Sequence, residues 1–284
     1  MKKLNRIIIS LVLGIIMAIG LSGCGGADNE ITVVSREDGS GTRGAFVELM
    51  GILEKDADGN KKDLTTDEAV IANKTDVMLA NIEGDPYSIG YVSLGSLNDS
   101  VKSVTVDGVQ AKSENIKNGS YPVARPFNIA TKGMPSELAR DFISFILSVE
   151  GQDIIADKYI SIDDNAKAFS STNPGGKLVI AGSSSVFPVM EKLVEEYRLL
   201  NSDADIEIQS SDSTAGMSGV IEGTCDIGMA SRALTESELN SLVPTEIAMD
   251  GIAVIVNKAN PIENLTSDQI KAIFTGTTVT WDTL

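Results

Sequence analysis

The sequence predicts an α/β fold, and three observations carry that expectation. Short extended apolar runs alternate with amphipathic segments along the 284 residues. Three of those runs end in turns of Gly, Ser and Thr that open directly into helices. After a Ser-, Pro- and Gly-rich stretch at 170–176, the same strand–turn–helix order begins again at Leu178.

Taken in order, Ile31-Thr32-Val33-Val34 is a strand leading into Arg36-Glu37-Asp38-Gly39-Ser40-Gly41-Thr42-Arg43-Gly44, and residues 45–53 have helical apolar spacing. Residues 65–82 are expected to form a second helix capped by Thr66 or Asp67. Residues 87–92 and 101–109 read as strands, the latter turning at Asp107-Gly108, and 126–131 as a further extended run. Helices are expected over 136–147 and 151–158. Leu178-Val179-Ile180 leads into Gly182-Ser183-Ser184-Ser185, and 186–197 is amphipathic, with apolar residues at 186, 189, 190, 193, 194 and 197. Ile206-Glu207-Ile208 leads into Ser213-Thr214-Ala215-Gly216. Residues 252–256 are a buried strand, and 265–274 a helix with Thr266 or Ser267 at its start.

The first residues stand apart from this pattern. Lys2, Lys3 and Arg6, an apolar run over 7–19, and Leu21-Ser22-Gly23-Cys24 have the order of a secretory leader over 1–23, too short to span a membrane. Leu-Ser-Gly-Cys resembles the lipobox of bacterial lipoproteins. That likeness implies an acylated Cys24, palmitate included, with 24–29 as a tether and the chain held at the outer face of the cell membrane.

Three of the 23 basic residues leave with the leader and none of the 40 acidic ones, so the mature surface is strongly acidic. Such a surface argues against nucleic acid as a partner. It also means that any anion must be held by local hydrogen bonds and one or two guanidinium groups. The chain has no histidine, which removes His-assisted Ser or Cys catalysis and the common zinc and iron ligand sets. Neither G-x-x-x-x-G-K-[ST] nor G-x-S-x-G occurs. Cys225 has no disulfide partner once Cys24 is acylated, and beside an apolar run it reads as a small buried residue.

The three turns bring hydroxyls and bare backbone N–H groups to helix starts, where unpaired donors and a partial positive charge attract anions. With Arg36 beside the first turn, they point to a tetrahedral oxyanion held between helix ends. A guanidinium gives two parallel bonds to such a group, and Asp38 is placed to hold Arg36. Gly39 to Gly44 also satisfies G-x-G-x-x-G; the dinucleotide motif uses the same helix end, so the pattern alone does not separate the two. Each hydroxyl taken singly is also an ordinary helix cap.

The segment Ile-Thr-Val-Val-Ser-Arg-Glu-Asp-Gly-Ser-Gly-Thr-Arg-Gly-Ala-Phe resembles the signature of the phosphate-binding proteins of the bacterial phosphate ABC transporter. Residues 178–188, 213–217, 225–232, 249–257 and 265–281 are similar to further segments of that family. The resemblance implies a two-lobed type II periplasmic solute-binding fold, a receptor without cofactor or catalysis, inorganic phosphate as ligand and ABC permease subunits as partners. Family members normally begin with the segment found here at Leu178, so the resemblance also implies a circular permutant, cut before Ile31 and rejoined through 170–176. One lobe would be 121–250 and the other 30–120 plus 251–284, hinged near Ser120 and Asp250.

Carried over by motif, the phosphate contacts would be Ser184, Ser185 and Ser213 from one lobe and Arg36, Ser40, Gly41 and Thr42 from the other. Where the family has an Asp that accepts the proton of hydrogen phosphate, this chain has Arg232 after Ser231. Either Arg232 itself meets the anion, or Asp38, Asp212 or Asp226 supplies the acceptor. A sulfate receptor, or an exported phosphatase acting through Ser40 or Ser184, are the alternative readings.

Overall fold

The computed structural model describes residues 29–55 and 61–284; the expected leader, the expected lipid anchor at Cys24 and the expected tether before Asn29 lie outside them. Its strands are β1 (Thr32–Arg36), β2 (Leu53–Lys55), β3 (Lys61–Asp63), β4 (Val70–Ala72), β5 (Ser88–Ser93), β6 (Val101–Ser103), β7 (Thr105–Val106), β8 (Ala124–Thr131), β9 (Gly176–Ser183), β10 (Ala204–Ser211), β11 (Ile227–Ala230), β12 (Val243–Asn257) and β13 (Asn264–Leu265). The main sheet runs β10-β9-β11-β8-β12-β5-β1-β4, with β6 also on β12.

This order contains two parallel halves, β10-β9-β11 and β5-β1-β4, joined through the antiparallel strands β8 and β12. Strands in the middle of a sheet covered on both faces have no polar side, whether parallel or antiparallel, which is why β5 is buried at every position and β12 reads Ile252-Ala253-Val254-Ile255-Val256. The 15-residue β12 pairs with β8 over its first part and with β5 and β6 over its second, with a register shift between Glu246 and Ala248.

The apolar side chains fall into two large clusters. One holds Phe46, Tyr91, Ile252 to Val256 and Phe274; the other holds Phe127, Phe142, Phe145, Leu178, Ile180, Leu193 and Tyr197. Phe46 stacks on Tyr91 with ring centroids 4.0 Å apart and meets the edge of Phe274 at 4.9 Å. The two cores flank one shared strand pair, β8 and β12, in a mixed α/β fold.

The 170–176 stretch is tied to the second cluster. Ser171 Oγ and Tyr197 OH both donate to Asp141 Oδ2 at 2.7 Å, and Asn201 Nδ2 donates to the Pro174 carbonyl at 3.0 Å. The pair Asp107 (φ 52°) and Gly108 (φ 78°) makes the turn expected after β7. At the helix Ser267–Phe274, Thr266 and Gln269 form a capping box.

Two expected elements differ. The helical spacing read over 45–53 belongs to a helix that runs Gly41–Leu49, and Leu53 already begins β2. Residues 65–82 do not form a single helix: β4 occupies Val70–Ala72, and the helix starts at Thr75 and runs to Gly84. Val70 and Ile71 are β-branched and pair parallel with Val34 and Ser35 of β1. Thr66 caps no helix. Its neighbour Thr65 donates its hydroxyl to Asp63 Oδ1 at 2.6 Å in a turn after β3.

Candidate functional site

In both parallel halves, the strands end at the same place in the molecule. β1 ends at Arg36, β4 at Ala72, β9 at Ser183, β10 at Ser211 and β11 at Ala230. The residues just beyond those ends, Arg36 to Thr42, Thr75, Ser184-Ser185, Ser213 and Ser231, meet across the junction of the two halves. Carboxyl ends of parallel strands are where open α/β sheets bind ligands, because helix N-termini and unpaired loop backbone gather there.

Arg36 lies at the centre and is 2% exposed. Its Nε and Nη2 pair side-on with the two oxygens of Glu37 at 2.8 and 2.7 Å, and Nε also donates to the Ala72 carbonyl at 3.1 Å. The end of the guanidinium therefore faces inward, with Nη1 donating to Thr75 Oγ1 at 3.4 Å and Nη2 to Ser184 Oγ at 3.1 Å. Asp38 does not hold Arg36. Its carboxylate is 96% exposed and pairs with Arg43 at 2.8 Å, because the turn after Glu37 directs it outward. Arg43 in turn donates to the Arg36 carbonyl at 2.9 Å and pairs with Asp63 at 2.8 Å. The Asp63 carboxyl is pushed up by burial, but hydrogen bonds from Thr65 and Arg43 outweigh this and hold it below its ordinary value.

The other sequence-selected residues converge on the same spot. Ser40 caps the helix Gly41–Leu49, accepting from Arg43 N–H at 3.3 Å. Thr42 and Ser185 hydroxyls are 2.8 Å apart across the junction. Gly39 and Gly41 leave room for the facing turn. A Cβ on Gly41 would stand 2.4 Å from Ser213 Oγ and 2.8 Å from Ser231 Oγ, and one on Gly39 would stand 2.3 Å from Asp212. The bare Gly39 carbonyl accepts from Thr214 N–H and from its hydroxyl, both at 3.2 Å.

Ser213 Oγ accepts from Ser231 N–H at 3.1 Å, and Ser183 Oγ lies 2.9 Å from Ser231 Oγ. Ser40, Thr42, Thr75, Ser183, Ser184, Ser185, Ser213 and Ser231 are all buried.

Arg232 is drawn away from this cluster. Its guanidinium pairs bidentately with Glu238 at 2.8 Å on both arms and donates to Thr214 Oγ1 at 3.3 Å and the Ala233 carbonyl at 3.0 Å. Burial raises the Glu238 carboxyl, but Arg232 and Thr235 hold it net below its usual range. Glu238 is itself fixed by a capping box with Thr235. Asp212 accepts from Ala215 N–H at 2.8 Å as a helix cap, and Asp226 from Val179 N–H at 2.8 Å. Cys225 is buried, and burial and Asp226 push its thiol up to about 11, which leaves it inert. Among the described residues, no group of three or more His, Cys, Asp or Glu side chains is placed to hold a metal.

Behind the hydroxyls lies a buried pair that the sequence reading did not find. Arg125 on β8 donates from Nη2 and Nε to Asp250 Oδ2 on β12 at 3.0 and 3.2 Å, and from Nη1 to the Ser231 carbonyl at 3.0 Å. Asp250 Oδ1 accepts from Ser93 Oγ of β5 at 2.9 Å. Burial pushes Asp250 up to about 6 against the pull of Arg125 and Ser93, and pulls Arg125 down. Thr75, Glu37 and Ser231 were also missed as site members. Thr75 was hidden inside the misread helix; Glu37 was visible beside Arg36, but only Asp38 was considered as its partner.

Comparison with known proteins places this geometry. The chain matches the PBP superfamily domain over residues 20–150 and 167–283. It is 49% identical to the phosphate-binding protein PstS 2 of Streptococcus agalactiae, covering 100% of this chain and 98% of that one. Identity to the phosphate-binding protein PstS 2 of Streptococcus pneumoniae is 45%, over 93% and 96% of the two chains. With the phosphate-binding protein PstS of Bacillus subtilis it is 34% identical over 127 residues, 44% of this chain and 42% of that one. The crystal structure of a phosphate ABC transporter phosphate-binding protein from Streptococcus pneumoniae superposes with a TM-score of 0.71 at 46% identity, covering 89% of this chain and 99% of that one. Fold and end-to-end identity agree: the chain belongs to the PBP superfamily, in the family of the PstS phosphate-binding proteins.

Proposed function

We propose that this chain captures inorganic phosphate between its two lobes and delivers it to an ABC permease. The observation that carries the reading is the buried Arg36 guanidinium, whose free end faces hydroxyls from both parallel halves. The proposed ligand groups are Arg36, Ser40, Gly41 and Thr42 on one side and Ser184, Ser185 and Ser213 on the other. Arg232, bound to Glu238, is read as a support of the rim. The names of the relatives support phosphate as the anion.

The lobes are taken as 121–250 and as 30–120 with 251–284, and β12 crosses between them. A ligand that bonds both sides favours the closed form by its differential affinity, and the permease would read that form. Cys24 would carry the lipid that keeps the receptor at the outer face of the membrane. No catalytic step is proposed. Short colinear similarity to the Bacillus protein beside full-length similarity to the streptococcal ones supports a permuted order, rejoined through 170–176.

The test is isothermal titration of the phosphate-stripped protein with phosphate and then sulfate, at two pH values. Tight binding of phosphate with little response to sulfate is expected. Sulfate bound as tightly as phosphate would make the chain a receptor for another oxyanion, and release of phosphate from a chromogenic ester would reopen an enzymatic reading.

A further inference from the structure

We infer that Thr75 is a direct ligand of the captured anion, a contact that neither the signature segment nor the serine turns include; the inference rests on the receptor reading above. The argument begins with topology. The main sheet ends in β10 on one side and β4 on the other, and each of these edge strands runs parallel to its inner neighbour, β9 or β1. Each is followed by a ten-residue helix, Ser213–Glu222 after β10 and Thr75–Gly84 after β4. Ser213 and Thr75 are the first residues of those helices. They occupy equivalent places in the two halves, and both are buried in the same hydroxyl cluster.

Local geometry gives Thr75 a different task from capping. The N-cap position before it is Lys74, which makes no side-chain cap bond, and the Thr75 side chain lies inward at 7% exposure. Its Oγ1 has three polar neighbours, Arg36 Nη1 at 3.4 Å, Ser184 Oγ at 3.3 Å and Ser185 Oγ at 3.5 Å. All three distances sit at the outer limit of hydrogen bonding, whereas Thr42 and Ser185 close to 2.8 Å in the same cluster. Arg36 Nη2 and Ser184 Oγ meet at 3.1 Å, but Thr75 Oγ1 closes on none of its three neighbours, an arrangement suited to sharing a further acceptor with them. An oxyanion with several lone pairs is such an acceptor. Arg36 supplies the charge, and Thr75, accepting from Arg36, has its own proton left to donate.

The backbone holds Thr75 in place. The Ala72 carbonyl at the end of β4 accepts from Arg36 Nε, so the turn into the helix is tied to the guanidinium. The helix start adds its partial positive charge to the same point. Because Thr75 comes from the half that holds Arg36 and faces serines of the other half, it completes its contacts only when the lobes are closed.

The test compares Thr75→Val, which keeps the shape and removes the hydroxyl, with Thr75→Ser, which keeps the hydroxyl. Phosphate affinity and thermal midpoint are measured for both beside the wild type. A loss of about tenfold or more in Thr75→Val, affinity within about threefold of wild type in Thr75→Ser, and unchanged midpoints without phosphate are expected. Wild-type affinity in Thr75→Val, or equal losses in the two variants, overturns the inference while leaving the receptor reading intact. A wild type that binds no phosphate overturns the receptor reading, and this inference with it.

Discussion

Replacing Arg36 by Ala removes the charge around which the cluster is organised. In the structure, Nη1 and Nη2 face Thr75 and Ser184, while Nε and the other edge of Nη2 are held by Glu37 and Ala72. A ligand at that point takes two bonds from the free end, each charge-assisted and worth about 1.5–3 kcal/mol. Losing both amounts to about 3–6 kcal/mol, or a roughly 10²- to 10⁴-fold weaker Kd. Removing the guanidinium also leaves Glu37 without its partner beside an incoming anion, so the upper half of that range is expected. Calorimetric titration of the phosphate-stripped variant at neutral pH measures the loss. Because the guanidinium is buried, the ratio of wild-type to variant affinity should change little between low and physiological salt. Far-ultraviolet circular dichroism checks that the fold is retained. A folded Arg36→Ala protein that binds phosphate within about threefold of wild type would refute the placement of the ligand at the strand ends.

Gly41→Ala should weaken phosphate binding by about tenfold or more, since its Cβ would stand 2.4 Å from Ser213 Oγ across the junction; titration of the variant measures this. Asp250→Ala should lower unfolding free energy by about 3–5 kcal/mol in denaturant titration, because it strands the buried Arg125. Arg232→Ala should change phosphate affinity by less than about threefold, as its guanidinium is already paired with Glu238. It should cost stability at neutral pH. Glu238 titrates below its ordinary value of 4.5 in the folded protein, so this contribution is present above that value and fades as pH falls through the folded-state pKa. Denaturant midpoints of wild type and variant should therefore converge in acid.

Much of the site was legible along the chain because it is local. Arg36 to Thr42 form one turn, as do Ser184 and Ser185, and Gly, Ser and Thr before an amphipathic run announce a helix start whatever the rest of the protein does. Thr75 was not legible, because Val70 and Ile71 fit a helical spacing as readily as a strand, and only pairing with β1 made them β4. The choice of Glu37 over Asp38 was equally closed to sequence reading. Both carboxylates are near Arg36 along the chain, and the direction of the turn decides which one meets it.

By itself the sequence determined the alternation of strand and helix, the absence of histidine chemistry, the turns rich in donors and a surface too acidic to attract an anion from a distance. Those are properties of composition and of neighbours within a few residues. Tertiary structure decided that the ends of β1, β4, β9, β10 and β11 meet, that Arg125 and Asp250 stand behind them, and that Arg232 turns to Glu238. These depend on contacts between residues far apart in the chain, such as Arg36 with Ser184 and Thr42 with Ser185. A hydroxyl or a guanidinium has no preferred partner until packing of the two cores fixes which groups share a buried space.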